Sequence, residues 1–235
     1  MIVAFPEFFE EDVFIFPSRA PLIAQGGTCL LPEELLAVPL HKNLHRKMVE
    51  SWTAPQPLVA IGHLRAKQAP GGGQELYSVL GLGRVLSVNL SAQEGHLLVL
   101  GLCRVGVKNL LADAVYPALE IERLKDFYSE TAPVLLEALG QELVRVAQKL
   151  RDRQKNFQHF KNEAMPPDYL ENLQREELPL GRLCDGIGAF FLFSAAEKQS
   201  LLAELNAIER AKKLLFILQF HAQSLYHGQS PIPLV

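Results

Sequence analysis

The chain has 235 residues, 49% hydrophobic and 21% charged, with a formal net charge of −3. That length suits one large domain or two joined subdomains with a real core. The mild acidity argues against a protein built mainly to bind nucleic acid or an anionic membrane. Cys29, Cys103 and Cys184 are odd in number and far apart, which reads as reduced, buried thiols with no disulfide framework or zinc pattern. Residues 1–11 lack a basic segment before an apolar stretch. The most apolar stretches, 187–193 and 214–220, fall well short of the roughly 20 residues that cross a bilayer. A cytoplasmic protein without a membrane span is expected.

In chain order, Asp12-Val13-Phe14-Ile15-Phe16 is a predicted strand stopped by Pro17, which cannot donate to a central ladder. Pro21-Leu22-Ile23-Ala24 is a second extended piece. A helix is predicted over residues 41–52, where Leu44, Met48 and Val49 recur on one face. Residues 58–64 form the next strand, followed by a loop with Pro70-Gly71-Gly72-Gly73, whose glycines can take positive φ. Further strands are predicted at 76–80, 83–89 and 96–100, the last continued by 101–107, with a hairpin connection over 91–95. Residues 118–123 close the set. Six or seven short strands around one helix predict a small, partly closed β-barrel.

The pattern changes near residue 125. Thr131 is a predicted N-cap for a helix running to about residue 163, with Leu136, Leu139, Leu143, Val146, Leu150, Phe157 and Phe160 in an a/d heptad and Arg153 intruding. About 32 residues would make it about 48 Å long, longer than a small barrel is wide. Its far end must meet other helices or a partner. Pro166-Pro167 breaks the chain and a short helix starts over 168–174. Ser194-Ala195-Ala196-Glu197 is a capping box before Leu201, Leu202 and Leu205, and Asn206-Ala207-Ile208-Glu209 resembles a second before Leu214, Leu215, Ile217 and Leu218.

Three stretches together carry a resemblance. They are Val13-Phe14-Ile15-Phe16-Pro17 with Pro21-Leu22; Gly81-Leu82-Gly83-Arg84-Val85-Leu86-Ser87-Val88 with the hairpin ending in Gly101-Leu102-Cys103-Arg104-Val105; and residues 183–193 with Ser194, Glu197, Leu201, Leu202 and residues 206–210. In this order the chain resembles the N-terminal substrate-binding domain of the Lon protease family, over about residues 10–222, and in particular small free-standing bacterial proteins made of that domain. The resemblance implies a PUA-like β-barrel followed by a helical bundle. Two departures stand out: the spacing from Pro17 to Pro21 is one residue short, and residues 25–40 read as an insertion. The chain has no G-x-x-x-x-G-K-[ST] phosphate loop, so the resemblance implies the binding half of Lon without its ATPase and Ser–Lys peptidase.

His41 and His45 have the i,i+4 spacing of zinc ligands, but no Glu lies between them in the H-E-x-x-H sense and no third ligand follows; two surface histidines are expected and no metal. Gly71–Gly73 lacks the strand–loop–helix context of a phosphate cradle and reads as a hairpin tip, while Gly81 and Gly83 mark a bulge or a close backbone approach. Arg145, Lys149, Arg151, Arg153 and Lys155 read as a solvated helix face. Phe157 and Phe160 either pack on the last helices or form an exposed patch for polypeptide or a second subunit, and they are the candidate partner-binding residues.

The expectation is an α+β protein, a mixed barrel at residues 10–125 followed by a helical bundle at 130–225 with one long helix. It is expected to be non-catalytic and to need no cofactor. It would bind unfolded polypeptide or a protein partner as adaptor or holdase, with homo-oligomerisation open and nucleic acid disfavoured. RNA binding is the first alternative. An unrecognised small-molecule or hydrolytic activity is the second.

Overall fold

The computed structural model describes residues 16–40, 42–53, 57–66, 73–90, 95–111, 115–129, 133–154, 169–175, 178–192 and 194–226. Strands come first: β1 (Arg19–Gln25), β2 (Leu35–Leu40), then helix α1 (Lys42–Glu50), β3 (Leu58–Ala66), β4 (Gln74–Leu76), β5 (Val79–Leu90), β6 (Gly95–Leu111) and β7 (Ala118–Arg123). Helices follow: α2 (Pro133–Gln154), α3 (Tyr169–Arg175), α4 (Leu180–Phe191), α5 (Ala195–Leu202) and α6 (Ala207–Tyr226). The change of character near residue 125 is therefore real. The expected strand at 12–16 lies outside the described residues except for Phe16, which packs on a strand core.

The strands form one seven-stranded mixed sheet. β1 pairs antiparallel with β7, β7 with β6, β6 with β5 and β5 with β3, and β3 returns to β1 in parallel. β2 lies off this cycle, antiparallel to the first half of β6. Residues 25–40, read as an insertion, hold β2 and the fully buried Leu30 and Leu31. Two expectations are corrected. Residues 76–80 are split between β4 and β5 around Tyr77 and Ser78, while β5 runs unbroken through Gly81 and Gly83.

Those glycines admit another stretch of backbone. A Cβ on Gly81 would stand 2.1 Å from the Leu30 carbonyl oxygen, and one on Gly101 would stand 2.0 Å from that of Leu31. The Glu33 N–H donates to the Gly101 carbonyl at 3.0 Å and the Gly101 N–H to that of Glu34 at 2.8 Å, fixing the loop to the sheet. Gly83 sits beside a register shift, so both readings of these glycines hold: close approach and bulge. The shift also re-aims β6. Gly83 pairs with Gly101 but Leu82 with Cys103, leaving Leu102 extra, and Arg104 then sits opposite Gly81.

Three cores result. Ile23, Leu30, Val38, Val59, Ile61, Val85, Leu97 and Val99 fill one side of the strands, closed by Met48 of α1. On the other side lie Leu22, Ala60, Leu80, Leu82, Cys103, Val105, Leu119 and Ile121. The helical core joins Leu143, Val146 and Leu150 of α2 to Leu183 and Ile187 of α4 and Leu214 and Leu218 of α6, and it takes in Cys29 and Leu31 from the loop. The heptad on α2 faces inward as its spacing predicts; its continuation past Gln154 lies outside the described residues. Among the described residues no helix is long and apolar enough to cross a membrane.

Candidate functional site

The predicted site residues scatter. Phe157 and Phe160 lie outside the described residues, as does His41. His45 is 2% exposed, so the expectation of a surface histidine is wrong; its face of α1 is the one that packs on the strands. Among the described residues no group of three or more His, Cys, Asp or Glu could hold a metal ion. In the basic stretch, Arg145 pairs with Glu142 one turn earlier and Arg151 lies 3.6 Å from Asp152, so two of its charges are met within α2 itself. Gly73 has φ +113°, as a turn glycine should, while Gly71 and Gly72 lie outside the described residues.

Strands and helices are joined by buried charge that periodicity does not reveal. The Arg104 guanidinium grips Asp185 of α4 with both terminal nitrogens, Nη1 at 2.7 Å, and its Nε donates to the Leu202 carbonyl at 3.0 Å. Arg210 of α6, wholly buried, does the same to Asp126, Nη1 at 2.8 Å, and its Nε donates to the Glu204 carbonyl at 2.8 Å. Arg210 Nη1 also reaches Asp185 at 3.5 Å, and Arg104 Nη1 reaches Asp126 at 3.8 Å. Two arginines and two aspartates form one cluster with balanced charge. The fork geometry satisfies most donors, which is what makes burial of such pairs tolerable.

The capping box at Ser194 is complete: the Glu197 N–H donates to Ser194 Oγ at 3.1 Å and the Ser194 N–H to Glu197 Oε2 at 3.3 Å. From the same turn, Glu197 Oε1 lies 2.9 Å from His221 Nε2, Lys198 pairs with Glu34, and Gln199 Nε2 donates to the Val79 carbonyl at 3.0 Å. Burial raises the Glu34 carboxyl above its ordinary value, opposed by Lys198 and the Leu31 N–H. At Asn206 only half a box forms, its side chain accepting from the Ile208 N–H at 3.0 Å while its own N–H donates to Glu204 instead of Glu209. All three thiols are free and buried, and burial pushes Cys29 up to about 12, which removes it as a nucleophile at neutral pH.

A partly exposed apolar surface lies on β2, β6, β5 and β3. Leu35 pairs with Leu100, Leu100 with Arg84 and Arg84 with Leu58, making one row across four strands. Ala37, Leu98 and Ser87 form the next row. Arg84 stands two residues from buried Leu82 and Leu58 two from buried Ala60, so the first row extends the face that farther along forms a core. Here it opens to solvent: Leu35 is 38% exposed, Ala37 and Ser87 are exposed, and Leu58, Arg84, Leu98 and Leu100 are half-buried. The neighbouring Leu86, at the second register shift, is 44% exposed. This is a wide apolar strip with one guanidinium in it. Such a surface can grip apolar groups, since each half-buried leucine loses water when covered.

Mixed strands followed by packed helices define the class of fold seen in Lon N-terminal domains. The N-terminal domain of a Mycobacterium avium complex Lon protease superposes with a TM-score of 0.63 at 16% identity, covering 86% of this chain and 99% of that one. A Lon N-terminal domain protein from Xanthomonas campestris gives 0.53 at 15% identity, covering 85% and 98%. A family model described as the ATP-dependent protease La (LON) substrate-binding domain matches residues 19–219, and the chain belongs to that family. The match starts after Val13–Phe16, so that stretch, quoted above for the resemblance, is not part of it. A sequence search of curated proteins returns no match.

Proposed function

We propose that the protein is a non-catalytic polypeptide-binding module, acting as adaptor or holdase on unfolded chains or a protein partner. The observation that carries this reading is the apolar strip of Leu35, Leu98 and Leu100, open to solvent in a domain of a substrate-binding family. The cycle of strand pairings supports a PUA-like barrel, residues 10–125, and the shared core of α2, α4 and α6 supports a helical bundle, residues 130–225. A bacterial, cytoplasmic setting fits this reading. Phe157 and Phe160 stand as a second contact in the proposal, on polypeptide or on another copy of the chain.

The test is titration of a fluorescently labelled, permanently unfolded protein, with reduced and alkylated cysteines, followed by anisotropy. Wild type is expected to bind. The Leu35→Ser/Leu100→Ser variant is expected to lose at least tenfold in affinity, about 1.4 kcal/mol, while keeping its circular dichroism. A Phe157→Ser/Phe160→Ser variant reports the second contact in the same assay. Unchanged affinity in both variants contradicts the proposed surfaces, and no binding by wild type contradicts the function.

A further inference from the structure

Apolar grip does not use Arg84. Its side chain is half-buried in the row between Leu100 of β6 and Leu58 of β3, and no ion pair or hydrogen bond reaches its guanidinium among the described residues. Elsewhere the fold treats such arginines differently: Arg104 and Arg210 each meet a carboxylate through two nitrogens. The rows around Arg84 hold Leu35, Ala37, Leu98, Leu100, Leu58 and Ser87, and no carboxylate. Covering this strip with a purely apolar chain would strip water from an unmatched cation, which opposes binding. A carboxylate on the incoming chain would remove that penalty and gain a charge-assisted fork.

We infer that this face takes an extended apolar polypeptide segment carrying one acidic side chain, whose carboxylate pairs with the Arg84 guanidinium. The inference rests on the polypeptide-binding reading above and names its substrate class. The acid lies within the segment rather than at a chain end, because leucines flank Arg84 on both neighbouring strands, about 4.8 Å away on each side. Apolar residues of the ligand must therefore continue past the carboxylate in both directions.

Four labelled peptides test this, built from leucine and serine: three capped at both ends with a central Glu, Gln or Lys, and one with central Gln and a free C-terminus. The wild-type chain is expected to bind the Glu peptide about tenfold more tightly than the Gln peptide. In Arg84→Gln that preference vanishes, and the Gln peptide binds more tightly than it does to wild type, since it no longer covers an unmatched cation. In Arg84→Glu the preference inverts toward the Lys peptide, an outcome misfolding cannot produce. Equal binding of Glu and Gln peptides by wild type overturns the inference and leaves the polypeptide reading standing. A gain seen only with the free C-terminus, or a Glu preference that survives in Arg84→Gln, overturns it too. Failure of every peptide and of the unfolded protein removes both readings together.

Discussion

Gly81 and Gly101 hold no side chain because the carbonyls of Leu30 and Leu31 already occupy the space a Cβ would need. In an ordinary strand, Gly→Ala gains about 0.5–1 kcal/mol from reduced unfolded-state freedom. Here the obstacle is backbone, in a loop that Glu33 and Glu34 tie to Gly101 by hydrogen bonds, so it cannot rotate away. Overpacking of this kind costs about 1–3 kcal/mol and outweighs the gain. Gly81→Ala and Gly101→Ala are each expected to lower stability by about 2 kcal/mol or more in urea unfolding, and Gly26→Ala, which has nothing within 4 Å, by well under 1. Equal effects at the two kinds of position would contradict the packing of the loop on the sheet.

At the scale of elements, α4 and α6 are held to β6 by the cluster of Arg104, Asp126, Asp185 and Arg210 as well as by apolar contact. Removing one member strands a buried charge, whereas replacing a pair with apolar residues of similar size does not. Asp185→Ala is expected to lose about 3–5 kcal/mol in urea unfolding, and Arg104→Met/Asp185→Leu to recover most of that loss. A double variant as weak as the single one would contradict this account. The same elements show what a sequence makes legible. The α2 heptad and the Ser194 capping box are local patterns and are found where their spacing puts them. Arg104 and Asp185 are 81 positions apart, and nothing near either one marks the other. β2 escapes notice because Pro39 interrupts its pattern, and the strand is recognisable only beside β6. The Leu35–Leu100–Arg84–Leu58 row is a product of register between strands, and sequence patterns along one strand do not contain it.

At the scale of the molecule, a sheet whose one face forms a core along part of its length opens that face to solvent along the rest. Leu58, Leu98 and Leu100 are half-buried there, neither closed off nor covered by charge among the described residues. Covering such leucines supplies roughly 25 cal/mol per Å², enough for a loose, sequence-tolerant grip when several are engaged. A groove between barrel and bundle and the long helix are the two places expected for such a patch; along its described length the helix's heptad is spent on the helical core. The central claim is that polypeptide lies on the strand face. The most direct measurement places a photoreactive amino acid at Ser87, exposed in the second row, or at Gln219, exposed on α6, and irradiates each with unfolded protein. Crosslinks from position 87 and few from 219 are the predicted result. Crosslinks from 219 alone, or equally from both, would contradict it.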